Sequence, residues 1–116
     1  MTKEYDIKDR TFKFAQRVLE IVVLLPKISE CEIIKIQLTK AGTSVGANVE
    51  EADGALSKKD FINKMGIARR EAKESIYWLR LISGRYIDEG KLTSDIKEAN
   101  EIKNILSSII DNTKRK

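Results

Sequence analysis

The sequence predicts an all-α fold, an antiparallel up-down-up-down four-helix bundle that forms a single domain over residues 1–116. Apolar residues recur three and four positions apart in four separate segments, and the two-residue alternation of a strand is absent. Only short connections separate these segments, so consecutive helices are expected to pack antiparallel. A chain of 116 residues suits one domain with a modest core.

The first helix is expected from about Ile7 to Leu24. Its apolar stripe is predicted from residues at helical spacing: Phe12, Ala15, Val18, Leu19 and Val22. Pro26 should separate this helix from the next, because proline cannot continue a helix and disfavours helical geometry at Leu25.

The second helix is expected to have Ser29 as its N-cap and Gly54 at its C-terminal end. Its predicted core seam keeps a heptad rhythm through a glycine-bearing stretch: Ile34, Leu38, Ala41, Val45, Asn48 and Ala52. Gly42 and Gly46 share one helix face, and each costs roughly 1 kcal/mol relative to alanine. Close approach of a neighbouring helix would offset that cost, so both glycines are predicted to be structural. The alternative, a phosphate-binding loop, requires a preceding strand and a Lys after the second glycine, and both are missing.

Asn48 is the polar member of this seam and must find hydrogen-bond partners there. One interpretation is a structural residue that fixes the helix register, and the other is an amide that binds a ligand. The neighbouring Glu50 and Glu51 do not form a catalytic pair, because adjacent helical residues point about 100° apart.

The third helix is expected to begin at Ser57, which forms a capping-box pattern with Asp60, and to end near Tyr86. Its predicted seam is Phe61, Met65, Ala68, Ala72, Ile76 and Leu79. A turn at residues 88–92 should lead to a fourth helix capped by Thr93. The stripe of that helix is Ile96, Ala99, Ile102, Leu106 and Ile109, and residues 113–116 are predicted to form a frayed basic tail.

Residues 75–83 are apolar nearly all round the third helix. Tyr77, Trp78, Leu81 and Ile82 widen the surface provided by the core seam. Such a helix is either central within the monomer or also buried against another subunit. Because a four-helix bundle encloses no helix completely, we favour a homo-oligomer, with Trp78 as a structural residue.

Positive charge is concentrated on the third helix. Residues 57–86 hold eight basic residues and three acidic ones, in a chain whose net charge is +4. The candidate nucleic-acid-binding residues lie near one side of the helix: Lys59, Arg69, Arg70, Lys73, Tyr77 and Arg80. The cations could follow a phosphate backbone while Tyr77 offers a stacking surface. The alternative is a solvated face in which Arg70 pairs with Glu74, and Lys73 with Glu50 or Glu51.

Several classes of function lack the residues they need. The chain has no His and one Cys, which removes the commonest general base and metal ligand and excludes an internal disulfide. We therefore predict no catalytic, metal or cofactor-binding residues, and a protein that is not an enzyme. No apolar run is long enough to cross a membrane, and the charged N-terminus lacks a signal region, so we expect a cytoplasmic protein without membrane partners.

A set of motifs occurs together over about residues 10–110. They are Leu25-Pro26, the block 44–48, Glu51, the helix start at 57–61, and residues 71–79 with Tyr77-Trp78-Leu79. In combination they resemble the four-helix bundle proteins encoded in intervening sequences of bacterial 23S rRNA genes.

This resemblance implies an up-down-up-down bundle and, as for relatives, a ring-shaped homopentamer. It also implies similarity to the accessory variability protein of diversity-generating retroelements, a basic pentamer that works with a reverse transcriptase and RNA. The implied partners are further copies of the chain, RNA and a reverse-transcriptase-like protein. The family has no established enzymatic activity, and its general function is unknown.

Two functions are therefore considered. The first is a non-enzymatic oligomeric bundle that binds nucleic acid, particularly RNA, or a nucleic-acid enzyme through the basic third helix. The second is a protein-interaction scaffold without nucleic-acid binding, in which the acidic second helix of one subunit faces the basic third helix of another.

Overall fold

The structure, a computed structural model, describes the backbone of residues 3–116 and the side chains from Ile7 onward. This part of the chain forms four helices: α1 (Lys3–Val22), α2 (Ser29–Asp53), α3 (Lys58–Ile82) and α4 (Glu89–Lys114). α1 packs against α2 and α4, and α3 packs against the same two helices. The predicted all-α four-helix bundle is confirmed, and it measures 47 × 23 × 19 Å.

Ion pairs between neighbouring helices show their antiparallel order. Lys8 near the start of α1 lies 3.1 Å from a carboxylate oxygen of Asp53, the last residue of α2. Lys64 near the start of α3 lies 3.1 Å from a carboxylate oxygen of Glu51, near the end of α2. Each pair joins the beginning of one helix to the end of its neighbour, as short connections require.

α1 buries a different stripe from the predicted one. Its fully or nearly buried residues are Ile7, Thr11, Phe14, Val18, Ile21 and Val22. Val18 and Val22 were assigned correctly, but Phe12 and Leu19 are 61% and 50% exposed, so their assignment to the core is wrong. The helix carries two apolar stripes, and periodicity alone does not decide which one faces the core.

The seams of the other three helices largely match the prediction. Their buried members are Ile34, Leu38, Ala41, Val45 and Ala52 of α2, Met65, Ala68, Ala72 and Leu79 of α3, and Ala99, Ile102, Leu106 and Ile109 of α4. Phe61, Ile76 and Ile96 are partly buried and pack against this core. These helices carry one dominant apolar stripe each, which periodicity identifies well.

The glycine-bearing stretch is helical throughout, and Gly54 follows the last residue of α2 as predicted. A Cβ at Gly42 would lie 2.7 Å from a methyl carbon of Val18, and one at Gly46 would lie 3.2 Å from the backbone oxygen of Thr11. Both glycines therefore allow α1 to approach α2 closely. The structural interpretation of Gly42 and Gly46 is supported, and the loop alternative is wrong.

Asn48 does not fix a register between helices. It is half-buried, and its Nδ2 donates a hydrogen bond of 2.8 Å to the carbonyl oxygen of Ser44 in its own helix. The buried position at this level of α2 belongs to Val49. The prediction that Asn48 lies in the core is wrong, because at this level of α2 the next residue, Val49, occupies the buried position instead.

Three helix starts differ from the prediction, and the first is that of α1, which begins at Lys3 rather than about Ile7. α2 begins at Ser29 itself, and the N-cap residue is Ile28, which makes no side-chain capping hydrogen bond. α4 begins at Glu89, because the side chain of Asp88 accepts a hydrogen bond from the backbone N–H of Gly90. The expected turn at residues 88–92 therefore lies mostly inside α4, and Thr93 is a helical residue rather than its cap.

Two helix ends differ as well. α3 begins as predicted, with the Ser57 side chain accepting a hydrogen bond from the N–H of Asp60, but it ends at Ile82. Gly84, at φ +77°, starts a tight turn in which its N–H donates a hydrogen bond of 2.8 Å to the Ile87 carbonyl. α4 extends through Lys114, further than the prediction of a tail at residues 113–116 allowed.

Candidate nucleic-acid interface

The outer face of α3 carries most of the candidate residues. Its inner face is fixed by buried residues such as Met65, Ala68 and Leu79. Helical geometry then turns the opposite side chains to solvent. Five of the six candidates are exposed: Lys59, Arg70, Lys73, Tyr77 and Arg80. The sixth, Arg69, is half-buried on the side of α3 that faces α4.

A groove of about 620 Å³ runs between α3 and α4. Its lining residues are Gly66, Arg69, Arg70, Lys73, Lys103 and Ser107. The structure thus brings together three of the predicted cations and leaves Lys59, Tyr77 and Arg80 outside the groove. Lys103 and Ser107 are added from α4, because helix packing and not a sequence motif places them opposite α3.

The cations of this surface have few carboxylate partners. In the part of the chain that the structure describes, Arg69, Lys73 and Arg80 have no carboxylate oxygen within 4 Å. Arg70 is 73% exposed, and its Nε lies 3.7 Å from a carboxylate oxygen of Glu71, a weak pairing at the surface. The positive charge of α3 is therefore available to an external anion.

The ion pairs expected for a simple solvated face are not formed. Glu50 lies 3.6 Å from the amine of Lys8 on α1, and Glu51 pairs with Lys64. Glu74 instead accepts a hydrogen bond of 3.4 Å from the indole Nε1 of Trp78. The pairings predicted by that alternative, Arg70 with Glu74 and Lys73 with either glutamate of α2, are therefore wrong.

Tyr77 and Trp78 form an edge-to-face pair at the solvent side of α3. Their ring centroids are 5.1 Å apart and the ring planes meet at 77°. Trp78 is half-buried and packs against the core of the monomer. Tyr77 is 57% exposed, so part of its ring surface is open to a stacking partner.

The described residues offer little support for other kinds of site. Among the side chains of residues 7–116, no three of His, Cys, Asp or Glu gather closely enough to hold a metal ion. None of the described helices is both long and apolar enough to cross a membrane. The basic surface of α3 and its groove with α4 therefore form the strongest candidate site in the described residues.

Comparison with known proteins shows the relationship of the chain to others. No curated protein matches it. The chain is similar to a protein with unknown function from the S23 ribosomal protein family of Bacteroides thetaiotaomicron VPI-5482, whose crystal structure is known. The two sequences are 36% identical, with a TM-score of 0.85, and the match covers 95% of this chain and 99% of that one.

A family model extends this similarity to a defined group. The model for the 23S rRNA-intervening sequence protein matches residues 3–108. The family suggested by the motifs of the sequence is thus confirmed. Because the match spans nearly all of the four-helix bundle, the chain belongs to the 23S rRNA-intervening sequence protein family.

Proposed function

We propose that this protein is a non-enzymatic, oligomeric helical bundle of the bacterial cytoplasm that binds RNA through basic residues of α3. The observation that carries the proposal is the row of cations on α3 without carboxylate partners in the described chain, of which Arg69, Lys73 and Arg80 are members. Lys and Arg side chains that neutralise phosphates release counterions, which supplies affinity independent of sequence. Tyr77 adds an exposed ring on which a base can stack.

Large apolar side chains on the outside of the bundle support the oligomeric part of the proposal. Five of them lie on α1, directly after its end or on the first half of α2, and we call them the α1–α2 apolar surface: Phe12, Leu19, Val23, Ile33 and Ile36. Exposed apolar surface of this kind marks an interaction site more often than chance exposure. A further copy of the chain is the partner that the family resemblance favours.

RNA titrations at several salt concentrations test the nucleic-acid part. We expect tight binding at low salt, with the logarithm of the affinity falling linearly with that of the salt concentration. The double variant Arg70→Gln/Lys73→Gln should bind more weakly and lower the salt slope by about 2, near 1 for each lost phosphate contact. Lys35→Gln/Lys40→Gln removes the same charge from exposed positions of α2 and serves as the matched control.

Two results would contradict RNA binding through α3. One is binding that is absent at low salt or unaffected by salt. The other is an equal loss of affinity in the α3 variant and the α2 control, which would assign the effect to net charge alone.

A protein-interaction scaffold is the second candidate, and the α1–α2 apolar surface is the observation that favours it. In that function the charges of α3 contact acidic residues of α2 in a neighbouring copy. Reversal of charge in Arg70→Glu/Lys73→Glu should then dissociate the oligomer. Light scattering measures the mass, and a variant that keeps its mass but loses RNA affinity would exclude this candidate.

A further inference from the structure

Gly66 lies in the interior of α3, and packing within the monomer does not explain it. Among the described residues, and apart from its chain neighbours and the adjoining backbone of α3, a Cβ at Gly66 would meet no heavy atom within 4 Å, whereas one at Gly42 would overlap Val18. Glycine inside a helix is less favourable than alanine and is used where a backbone or a ligand must come close. The missing side chain at Gly66 is therefore best explained by a group outside the bundle that lies against α3.

Gly66 is also part of the wall of the groove between α3 and α4. Four cationic side chains line the same groove, Arg69, Arg70, Lys73 and Lys103, and its lining includes no acidic residue. Within the described part of the chain, Lys103 donates one long hydrogen bond of 3.5 Å, to the side-chain oxygen of Asn100. A groove with this charge favours an anionic ligand over an apolar peptide or a protein surface with few acidic residues.

The spacing of the cations indicates a ligand with repeated charges. Arg69 and Lys73 lie four residues apart, or about one helical turn of 5.4 Å, on α3. Lys103 lines the opposite wall from α4. A small anion would reach only part of this row, whereas a nucleic-acid strand carries one phosphate on every nucleotide. The sugars between these phosphates carry no charge, and they can lie against the uncharged part of the groove at Gly66 and Ser107.

We propose that the groove between α3 and α4 holds the sugar–phosphate backbone of a nucleic-acid strand, with a sugar against Gly66 and phosphates at the cations of both helices. The inference rests on the proposed function and deepens it. It assigns the backbone rather than the bases as the part recognised here, and it adds Lys103 and Ser107 of α4 to a site that sequence reasoning confined to α3.

Filling the wall at Gly66 tests the steric part of the proposal. The probes are fluorescein-labelled RNAs, a single strand of about 16 nucleotides and a hairpin, with binding followed by anisotropy. Gly66→Leu should raise the Kd about tenfold or more without lowering the salt slope, because it removes space and no charge. Ser94→Leu places the same side chain on an exposed position of α4 outside the groove and should leave the Kd unchanged.

A milder variant separates binding from folding. Gly66→Ala should raise the thermal midpoint, since alanine favours the helix and its Cβ has open space. We expect this more stable protein to bind RNA more weakly than the wild type. The RNA form that Gly66→Leu weakens more, single strand or hairpin, identifies the strand that occupies the groove.

The contribution of α4 is tested by a matched pair of lysines. Lys103→Gln should weaken binding and lower the salt slope by about 1, the effect of one lost phosphate contact. Lys97→Gln removes the same charge from an exposed position of the same helix that does not line the groove. We expect Lys97→Gln to leave both the RNA affinity and the salt slope nearly unchanged, apart from the small effect of one lost charge.

The outcomes distinguish this inference from the function on which it rests. If Lys59→Gln/Arg80→Gln, which changes two cations of α3 outside the groove, loses affinity while Gly66→Leu and Lys103→Gln bind RNA normally, the ligand lies outside the groove and only this inference is overturned. If no variant changes binding, both are overturned. If Gly66→Leu changes the oligomeric mass and leaves RNA affinity intact, the groove is a contact between copies and the inference is again overturned.

Discussion

Arg17 of α1 holds Asp95 of α4 through two hydrogen bonds, from Nε to Oδ1 at 2.9 Å and from Nη2 to Oδ2 at 3.1 Å. The Asp95 side chain is only 10% exposed, whereas that of Arg17 is 38% exposed. The hydrogen bond to Asp95 raises the pKa of Arg17 above its already high ordinary value. The guanidinium therefore stays charged wherever the protein folds. In the described part of the chain α1 packs less extensively against α4 than against α2, so this ion pair is an important link between α1 and α4.

The unequal burial of the two partners gives the first prediction. Arg17→Met leaves a nearly buried carboxylate without its cation and should cost about 3 kcal/mol of unfolding free energy. Asp95→Asn leaves a guanidinium that water can reach and should cost only about 1 kcal/mol. Urea denaturation of both variants measures the difference. Equal losses would show that the burial of Asp95 does not control the energy of the pair.

Close packing of α1 on α2 gives the second prediction. Gly42→Ala places a methyl group 2.7 Å from a methyl carbon of Val18, and the branched side chain has little freedom to move away. Overpacking of this kind costs about 1–3 kcal/mol, and the better helix propensity of alanine returns about 1 kcal/mol. We expect a net loss of about 1 kcal/mol in urea denaturation.

A double variant identifies the cause of that loss. Val18→Ala removes both methyl groups and leaves a cavity, so it destabilises by itself. If the clash is real, Gly42→Ala should cost less in the Val18→Ala background than in the wild type, a coupling that a double-mutant cycle detects. Additive effects would contradict the packing explanation.

The sequence was informative where one physical pattern dominated. The seam of α2 passes through Gly42 and Gly46 without a break, so helical register and close packing could both be inferred. α1 was different, because Phe12 and Leu19 form an apolar stripe that competes with the buried one through Phe14 and Val18. Both stripes have helical spacing, and the positions of α2 and α4 decide which of them is buried.

The candidate site could likewise be predicted only in part, because some of its residues come from a second helix. Arg69, Arg70 and Lys73 could be assigned to one site because they belong to one helix with a known period. Lys103 and Ser107 lie more than 25 residues further along the chain on a different helix, so their place opposite Gly66 depends on how α3 and α4 pack. The sequence likewise could not show that Glu50 lies near Lys8 and that Glu51 pairs with Lys64 rather than with Lys73, because these contacts depend on how the helices pack.

The single cysteine gives a prediction about pH. Cys31 is buried, and its burial raises the pKa of the thiol above the ordinary 9.0, with Glu30 and Glu32 raising it further. The folded state thus holds the thiol proton more tightly than the unfolded state. This contribution to stability is intact below the ordinary pKa and is lost as the pH rises through the raised value.

Thiol reactivity measures this directly. At pH 8 we expect a disulfide reagent to modify Cys31 far more slowly in the folded protein than in guanidinium chloride, because the thiolate is scarce and inaccessible. Cys31→Ala should weaken the decline in unfolding free energy above pH 9, since the titrating group is gone. Rapid modification of the native protein would contradict the burial of this side chain.

The α1–α2 apolar surface gives the last prediction. Phe12→Gln/Ile36→Gln replaces two large side chains that are exposed in the monomer, so the monomer itself should lose no more than about 0.5 kcal/mol of stability. If copies of the chain pack through this surface, each lost side chain removes about 1.5 kcal/mol or more, and the dissociation constant of the assembly rises about 100-fold. Light scattering over a range of concentrations should then show monomers where the wild type is assembled.

Leu56→Gln is the matched control for this experiment. Leu56 is 100% exposed in the connection between α2 and α3, outside the α1–α2 apolar surface, so its replacement removes one fully exposed apolar side chain from a different place. We expect this variant to keep the wild-type mass, because the effect should depend on where the apolar group lies and not only on total hydrophobicity. A wild-type protein that is monomeric at every concentration would contradict the assembly. If Leu56→Gln dissociates the assembly as strongly as Phe12→Gln/Ile36→Gln does, the α1–α2 apolar surface is not the specific interface.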